Sequence, residues 1–273
     1  NLTKTLMAAL HVRGRLESIF EAVLKRFASK GFDKPFQTSC TDGADQTANT
    51  HRERTRHFSL DEESKYFSED NPIKPQRLMR ELPNIFPANT HYLADVGNSF
   101  SWATHYLHPH DRRIAGRRDA KGGLFRASLN FASMGWAIGS AIGTALARPD
   151  KPVVCITGDG SLLMNGQEIT VAVEEKLPVV FVVLNDSAYG MVKHGQRMSG
   201  AEEIGYSLPL TNFAAFAAAM GVDGHIIYSA EDLLQLDCQG FFKKQKPTLL
   251  DVRIDQDEAP PIGLRTQTLK LKT

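Results

Sequence analysis

The chain has 273 residues, 42% of them hydrophobic, and a formal net charge of +1, which is the composition of an ordinary globular protein. A near-neutral charge without a basic stripe of interleaved aromatic residues argues against a nucleic-acid binder. The N-terminal residues lack a signal-peptide pattern, and no apolar run approaches the roughly 18 residues of a membrane span. Cys40, Cys155 and Cys238 are widely spaced without a CxxC pair, which favours reduced thiols and a cytoplasmic location.

The first 71 residues carry few signals of a compact domain. An apolar stripe at helical spacing predicts an amphipathic helix within residues 1–31, and this helix is expected to be the end of a domain. Residues 32–71 show no clean period and are predicted to be a long linker. The regular part of the chain, 72–255, is predicted to be the functional domain. An extended tail is predicted over 256–273.

Strands and helices are predicted to alternate from residue 72 onward. Strands are predicted at 91–96, 112–115, 153–157, 179–184, 225–228 and 248–254. Helices are predicted at 76–82, which should end before Pro83, and at 100–106, 134–146, 210–220 and 230–242. Residues 116–130 are predicted to be a loop over the sheet edge. The alternation predicts an α/β fold, a doubly wound parallel sheet with helices on both faces.

Two of the predicted strands end on acidic side chains. The run at 153–157 is followed by Gly158-Asp159-Gly160, and the run at 179–184 by Asn185-Asp186. Because the carboxyl ends of parallel strands form the edge where ligands bind, we expect these side chains to lie together. Oxygen ligands beside a glycine turn and a helix N-terminus are typical of a hard cation that carries a phosphate group. The alternative is that each aspartate only caps the helix that follows it.

The same residues have the spacing of a known signature. GDG, 24 residues and then Asn-Asp resemble the thiamine diphosphate motif. The similarity extends through Asp95-Val96-Gly97, Ser133-Met134-Gly135 and Tyr189-Gly190-Met191-Val192. Together these segments resemble the diphosphate-binding domain of acetolactate synthase-like enzymes. The resemblance implies a thiamine diphosphate-binding fold over residues 72–255. It also implies that the helix within residues 1–31 is the C-terminal helix of the family's middle domain.

This resemblance assigns a metal site and a set of cofactor contacts. Mg²⁺ would be held by the side chains of Asp159 and Asp186, the carbonyl of Ala188, two diphosphate oxygens and water. Met134 would have the catalytic task of supporting the bent form of thiamine diphosphate. Asp186 replaces the commoner Asn, so we expect diphosphate binding to depend strongly on the metal. The other implied cofactor contacts are Gly97, Asn98, Ser99, Ala132, Gly158, Gly160, Ser161, Tyr189, Gly190 and Met191.

Two residues just beyond the metal loop are candidates for substrate contact. Val192 and His194 follow the cofactor-binding segment, and His194 could donate a proton to substrate. The alternative is that His194 is an ordinary polar helix residue. Gly195 stands where biosynthetic members of the family carry a specificity tryptophan, which argues against a strict preference for a 2-ketobutyrate acceptor.

The resemblance implies a thiamine diphosphate- and Mg²⁺-dependent transferase or lyase. It would decarboxylate a 2-keto acid such as pyruvate and join the remainder to an acceptor carbonyl. The family's catalytic glutamate belongs to a pyrimidine-binding domain, expected from a missing part of the polypeptide or from another subunit of a dimer or tetramer. Whether FAD is needed stays open, since its site would lie in the middle domain. Two alternatives also stay open: a 2-keto acid decarboxylase of the benzoylformate type, and a non-catalytic cofactor-binding partner subunit.

Overall fold

The computed structural model of this chain describes residues 62–107 and 125–262, and also residues 21, 25 and 26, which are helical. The chain divides into two compact units, 1–55 and 56–273, and the second contains the sheet. The predictions for the linker up to residue 61 and the strand at 112–115 lie outside the described residues. So do most of the predicted N-terminal helix and the end of the tail.

A six-stranded parallel sheet forms the centre of the second unit. In chain order its strands are β1 (His91–Ala94), β2 (Phe125–Ala127), β3 (Val153–Gly158), β4 (Val179–Asn185), β5 (Asp223–Ile227) and β6 (Thr248–Arg253). Their order across the sheet is β2-β1-β3-β4-β6-β5. Every residue of β4 is buried, because this strand has neighbours on both sides and helices over both faces.

Helices and short turns connect the strands. The α-helices are α1 (Pro75–Ile85), α2 (Asn98–Trp102), α3 (Trp136–Ala147), α4 (Asp159–Asn165), α5 (Ile169–Glu174), α6 (Gly190–Ser199), α7 (Phe213–Ala219) and α8 (Ala230–Leu234). A π-helical turn (Ala103–Leu107) continues α2, and 3₁₀ turns lie at Glu63–Phe67, Gly166–Glu168 and Gly240–Lys243. Among the described residues, no helix combines the length and the apolarity that a membrane span requires.

Alternate residues of the strands belong to two separate hydrophobic cores. Val180 and Val182 of β4 pack in one core with apolar residues of α1, α2 and α8. Phe181 and Val183 pack in the other with α3, α5 and α7. Successive side chains of a strand point to opposite faces, so a continuous apolar run is what a strand covered on both faces requires. The predicted doubly wound α/β fold is therefore confirmed.

Part of the predicted loop over 116–130 is a strand. Residues 125–127 form β2, which pairs in parallel with β1 at the sheet edge, with Phe125 opposite Tyr92. Three residues are too few to show a period of two, and an edge strand is not buried enough to need a continuous apolar run. The prediction of a loop was wrong at these three positions.

The first helix of the sheet-containing unit continues past its proline. The prediction ended it before Pro83, but α1 runs on to Ile85 with Pro83 inside it. Pro83 lies in the last turn, where its ring removes a single N–H donor, and the Phe86 N–H still donates to the Leu82 carbonyl at 3.1 Å.

Two other helices are shorter than predicted. The Asn212 side chain accepts the Ala215 N–H, so α7 begins at Phe213 and not at 210. The helix predicted over 230–242 stops at Leu234, and a separate 3₁₀ turn begins at Gly240, whose N–H donates to Asp237 Oδ1 at 2.9 Å. The start of strand β5 also differs from the prediction, since the strand begins at Asp223, two residues earlier.

Candidate functional site

The carboxyl ends of β1, β3 and β4 meet at one edge of the sheet. β1 and β3 are neighbours, but the chain leaves β1 towards β2 on one side and leaves β3 towards β4 on the other. Such a reversal opens a crevice between the two connections. A cavity lies at this point of the structure. The expected site residues that line it are Gly97, Asn98, Ser99, Met134, Gly158, Asp159, Gly160, Ser161, Asp186, Ala188, Tyr189, Gly190, Met191 and Val192.

Two of the expected site residues do not line the cavity. Ala132 is exposed in the loop before α3 and has a φ of 54°. His194 is buried in α6, and neither ring nitrogen has a hydrogen-bond partner. Burial, followed by the charges of Arg197 and Lys193, lowers the pKa of His194, so its ring is neutral at physiological pH.

The Asp159 side chain is held by two backbone N–H groups, one from its own helix and one from the loop after β4. Its side chain is buried at the start of α4, where Oδ1 accepts the Gly160 N–H at 2.7 Å. Its Oδ2 accepts the Ala188 N–H at 3.2 Å, which joins the end of β3 to the loop after β4. The Gly160 N–H, expected to contact a diphosphate, is thus directed to Asp159 here. These contacts hold the carboxylate in one orientation at the cavity wall.

Asp159 and Asp186 form a pair of carboxyl groups, of which Asp159 is buried and Asp186 is half-buried. Burial, followed by the negative charge of Asp159, raises the pKa of Asp186. Burial also raises the pKa of Asp159, although the N–H groups of Gly160 and Ala188 oppose the change. Two adjacent carboxylates in a site of low polarity repel each other, and a bound cation relieves this repulsion.

The cation would need ligands other than side chains. No group of three or more His, Cys, Asp or Glu side chains suited to a metal occurs within residues 62–107 and 125–262. Mg²⁺ prefers six oxygen ligands and keeps substrate phosphate oxygens and water among them. Two carboxylates therefore form a partial site, which suits a metal that arrives with a phosphate-bearing ligand.

The loop that carries Asp186 is held from two directions. Ser187 adopts a left-handed backbone with φ of 54°, which reverses the chain after β4. The Tyr189 N–H then donates to the Tyr206 carbonyl at 2.7 Å, so the loop pairs with a neighbouring segment. From the other direction, the Gln256 side chain donates to the Asp186 carbonyl at 2.9 Å. Sequence reasoning missed Gln256, because it lies 70 residues away and follows no motif.

Glycine allows close approach at two positions of the cavity wall. A Cβ at Gly190 would lie 2.9 Å from Asp186 Oδ2 and would also collide with the Asn98 amide nitrogen. A Cβ at Gly160 would lie 2.6 Å from the Tyr189 ring and 3.3 Å from Met134 Cε. The absence of a side chain therefore allows close packing in the polar part of the cavity at Gly190 and in the apolar part at Gly160. The lining is completed by three apolar residues that were not among the expected cofactor contacts, Val96, Leu184 and Ile254.

Comparison with known families identifies this domain. Residues 95–252 match the family model described as thiamine pyrophosphate enzyme, C-terminal TPP binding domain. This match covers more than half of the chain. The chain belongs to the thiamine pyrophosphate enzymes. The matched range contains every strand of the sheet except β1 and the last residue of β6, together with both strand ends that carry Asp159 and Asp186.

Similar thiamine pyrophosphate enzymes include acetolactate synthases. The chain is 28% identical to the acetolactate synthase isozyme 3 large subunit of Escherichia coli over 262 residues, which are 94% of this chain and 42% of that protein. It is 32% identical to the acetolactate synthase large subunit of Haemophilus influenzae over 189 residues, 68% of this chain and 31% of that protein. The acetolactate synthase-like family expected from the motifs is confirmed.

A solved thiamine pyrophosphate enzyme has a similar structure. It is the thiamine diphosphate-dependent 4-hydroxybenzoylformate decarboxylase of Rhodococcus jostii, with a TM-score of 0.59 and 25% sequence identity. The similarity covers 70% of this chain and 34% of that one. This chain therefore spans less than half of the length of the relatives that it matches.

Proposed function

We propose that this chain is the diphosphate-binding half of a thiamine diphosphate- and Mg²⁺-dependent enzyme that acts on a 2-keto acid. The observation that carries the proposal is the pair of adjacent carboxyl groups of Asp159 and Asp186 at the switch point of a thiamine pyrophosphate enzyme domain. In this proposal both side chains and the Ala188 carbonyl bind Mg²⁺, and diphosphate oxygens and water complete the coordination.

The described residues fit such a ligand in charge and in hydrogen bonding. Mg²⁺ between two aspartates is nearly neutral, so the diphosphate needs further donors from the protein. Asn98 and Ser99 lie at the cavity wall, where the Asn98 amide NH₂ group and the Ser99 hydroxyl are donors that diphosphate oxygens could accept. Diphosphate binding is expected to depend on the metal, because without it the pair of carboxylates would repel the phosphate groups.

The apolar part of the cavity would orient the rings of the cofactor. When bound, thiamine diphosphate supplies the electron sink for decarboxylation of a 2-keto acid. Met134 and the Tyr189 ring both approach Gly160, so they form one wall that can support a bent ligand and exclude water from it. Met191 and Val192 line the cavity beside this wall and are proposed to contact the substrate.

The proposed reaction is decarboxylation followed by carboligation to an acceptor carbonyl. The acetolactate synthase large subunits among the relatives support it. The second candidate is decarboxylation without carboligation, which the 4-hydroxybenzoylformate decarboxylase supports. Incubation of the complete enzyme with pyruvate should give a carboligation product. Benzoylformate turnover to the aldehyde, with no product joined to an acceptor, would favour the second candidate instead.

A pyrimidine-binding domain with the catalytic glutamate is proposed as the necessary partner. The relatives extend well beyond the length that this chain covers, which leaves room for that domain. It would come from the same longer polypeptide or from another subunit of an oligomer. Intact mass and sedimentation of the purified active material test this. Activity in material that contains only these 273 residues would contradict the proposed partner.

The metal site is tested by replacing one of its proposed ligands. Asp159→Ala should abolish Mg²⁺-dependent binding of thiamine diphosphate in titration calorimetry, since it removes a charged ligand from the partial site. Asp150→Ala is the matched control, because Asp150 is a half-exposed carboxylate paired with Arg148 outside the cavity. The control should bind like the wild type. Unchanged binding by Asp159→Ala would refute the assigned metal site.

A further inference from the structure

Asp95 is a buried carboxylate that the proposed chemistry does not use. It follows β1 and is fully buried. Its Oδ2 accepts two hydrogen bonds at 2.9 Å, one from the Gly135 N–H and one from the Thr157 hydroxyl, and its Oδ1 accepts the Val96 N–H at 3.0 Å. A buried charge is tolerated when its oxygens are bonded in this way. Asp95 thus joins the ends of β1 and β3 to the loop before α3.

Asn165 reaches the same loop from another element. It is the last residue of α4, and its Nδ2 donates to the Met134 carbonyl at 2.9 Å. Its side chain also lies directly against Gly135, where a Cβ could not fit. Gly135 has a φ of 88°, a left-handed conformation that favours glycine. Contact and conformation both require glycine at this position.

The two side chains hold a single peptide unit from both sides. The carbonyl of Met134 and the N–H of Gly135 belong to the same peptide plane, and Asn165 bonds the first while Asp95 bonds the second. With this plane fixed, the direction in which the Met134 side chain leaves the backbone is also restricted. Asn165 lies at the opposite end of α4 from Asp159, so it contacts the loop before α3 and not the diphosphate end of the cavity.

We infer that Asp95 and Asn165 are positioning residues that hold Met134 against the ring portion of thiamine diphosphate. The inference rests on the proposed function. The two residues are assigned to the ring portion alone, because the groups that their side chains bond are those of Val96, Met134, Gly135 and Thr157, and none of these is a proposed diphosphate contact. Asp95 and Asn165, with their hydrogen bonds to the peptide unit between Met134 and Gly135, form a clamp on Met134. Loss of this clamp should therefore weaken binding of the cofactor rings and leave binding of the diphosphate unchanged.

Two ligands separate these effects in titration calorimetry. Thiamine diphosphate with Mg²⁺ reports on rings and anchor together, and inorganic diphosphate with Mg²⁺ reports on the anchor alone. For the full chain with any copurifying partner, Asn165→Ala should lower the affinity for thiamine diphosphate about tenfold, because the Met134 carbonyl loses its partner. Its affinity for inorganic diphosphate should stay within about twofold of the wild type. Asp95→Asn, which removes the charge and keeps the shape, should show the same selective loss.

Controls distinguish positioning from general damage. Asn84→Ala removes another Asn whose Nδ2 donates to a backbone carbonyl, but on α1 and outside the cavity, so it should alter neither affinity. Thermal unfolding without ligand checks that the variants fold. If Asn165→Ala does not fold, Asn165→Asp keeps its size, removes the donor and should give the same selective loss.

The outcomes are separable from those of the proposed function. A wild type that binds neither ligand would overturn the proposed function itself. A wild type that binds both, with folded variants that lose both affinities equally or lose neither, would overturn the positioning role and leave the proposed function in place.

Discussion

Gly190 and Gly195 lie in the same helix, α6, but have different surroundings. A side chain at Gly190 would displace Asn98 and approach Asp186 Oδ2, whereas no other heavy atom lies within 4 Å of a Cβ at Gly195. The lack of a side chain at Gly190 therefore lets the helix lie close to Asn98 and Asp186. Gly195 has open space beside it.

This difference predicts opposite results for two identical substitutions. Gly190→Ala should reduce Mg²⁺-dependent affinity for thiamine diphosphate by about tenfold or more, because Asn98 and Asp186 must move. Gly195→Ala should leave the affinity unchanged and raise the free energy of unfolding by about 0.5–1 kcal/mol, since alanine restricts the unfolded chain. Calorimetric titration and urea unfolding measure the two effects. Equal affinities for both variants would contradict the packing described at Gly190.

At the scale of elements, α8 shows how local hydrogen bonds fix the start of a short helix. This five-residue helix starts with a capping box: Ser229 Oγ accepts the Asp232 N–H at 3.1 Å, and Asp232 Oδ2 accepts the Ser229 N–H at 3.0 Å. Asp232 Oδ2 also accepts the Tyr228 N–H at 2.9 Å. A helix of one to two turns is not stable alone, so its caps and its packing on the sheet maintain it.

The cap predicts a defined pH dependence. Hydrogen bonds from the N–H groups of Tyr228 and Ser229 lower the pKa of Asp232 below its usual value of 3.8. A depressed pKa means that the contribution is fully present above the usual value and is lost as the pH falls through the lower, folded-state value. The difference in unfolding free energy between wild type and Asp232→Asn should therefore be largest near neutral pH and shrink in acid.

Ser229→Ala removes the hydroxyl of the cap and keeps the Asp232 carboxylate, so it separates the contributions of these two groups to stability. It should cost about 1 kcal/mol of stability, because the Asp232 N–H loses its acceptor. Asp232 itself is retained, so stability should still fall in acid for this variant. Urea unfolding across the acid range checks both variants. A difference between wild type and Asp232→Asn that does not change with pH would contradict the assignment.

At the scale of the whole described unit, a network of ion pairs and hydrogen bonds ties the segment after β6 to the start of α1 and the residues before it. The buried Glu258 accepts hydrogen bonds from Lys65 at 2.7 Å and Gln76 at 2.9 Å, and Lys74 pairs with both Asp255 and Glu258. Burial raises the pKa of Glu258, but the bonds from Lys65 and Gln76 outweigh it and lower the pKa overall. The same segment carries Gln256, which holds the Asp186 loop.

Breaking this network should destabilise the unit. Glu258→Ala leaves Lys65 and Gln76 without their buried partner, and the expected cost is about 2 kcal/mol, reduced from a fully buried pair because Lys65 is partly exposed. Asp150→Ala, which breaks an exposed pair with Arg148, should change stability little. Urea unfolding compares the two. A Glu258→Ala protein as stable as the wild type would show that the network does not support the fold.

Much of the candidate site could be predicted because its signals are local. GDG and the spaced Asn-Asp each follow an apolar run, so a short stretch of chain identifies both the strand and the residue at its end. The clamp on Met134 could not be predicted in this way. Asp95 and Gly135 are 40 residues apart, and only the pairing of β1 with β3 brings Asp95, Thr157 and the loop before α3 together.

The amino-acid sequence alone determined the doubly wound sheet and the pair Asp159 and Asp186, because continuous apolar runs and glycine-flanked acids have meaning within a few residues. The tertiary structure decided which short segments join that sheet and which helices end early. Strand β2 exists only by pairing with β1, and α7 begins where Asn212 caps it. It also placed His194 outside the cavity and Gln256 behind Asp186. Such outcomes depend on contacts between distant residues, which local pattern and propensity do not contain.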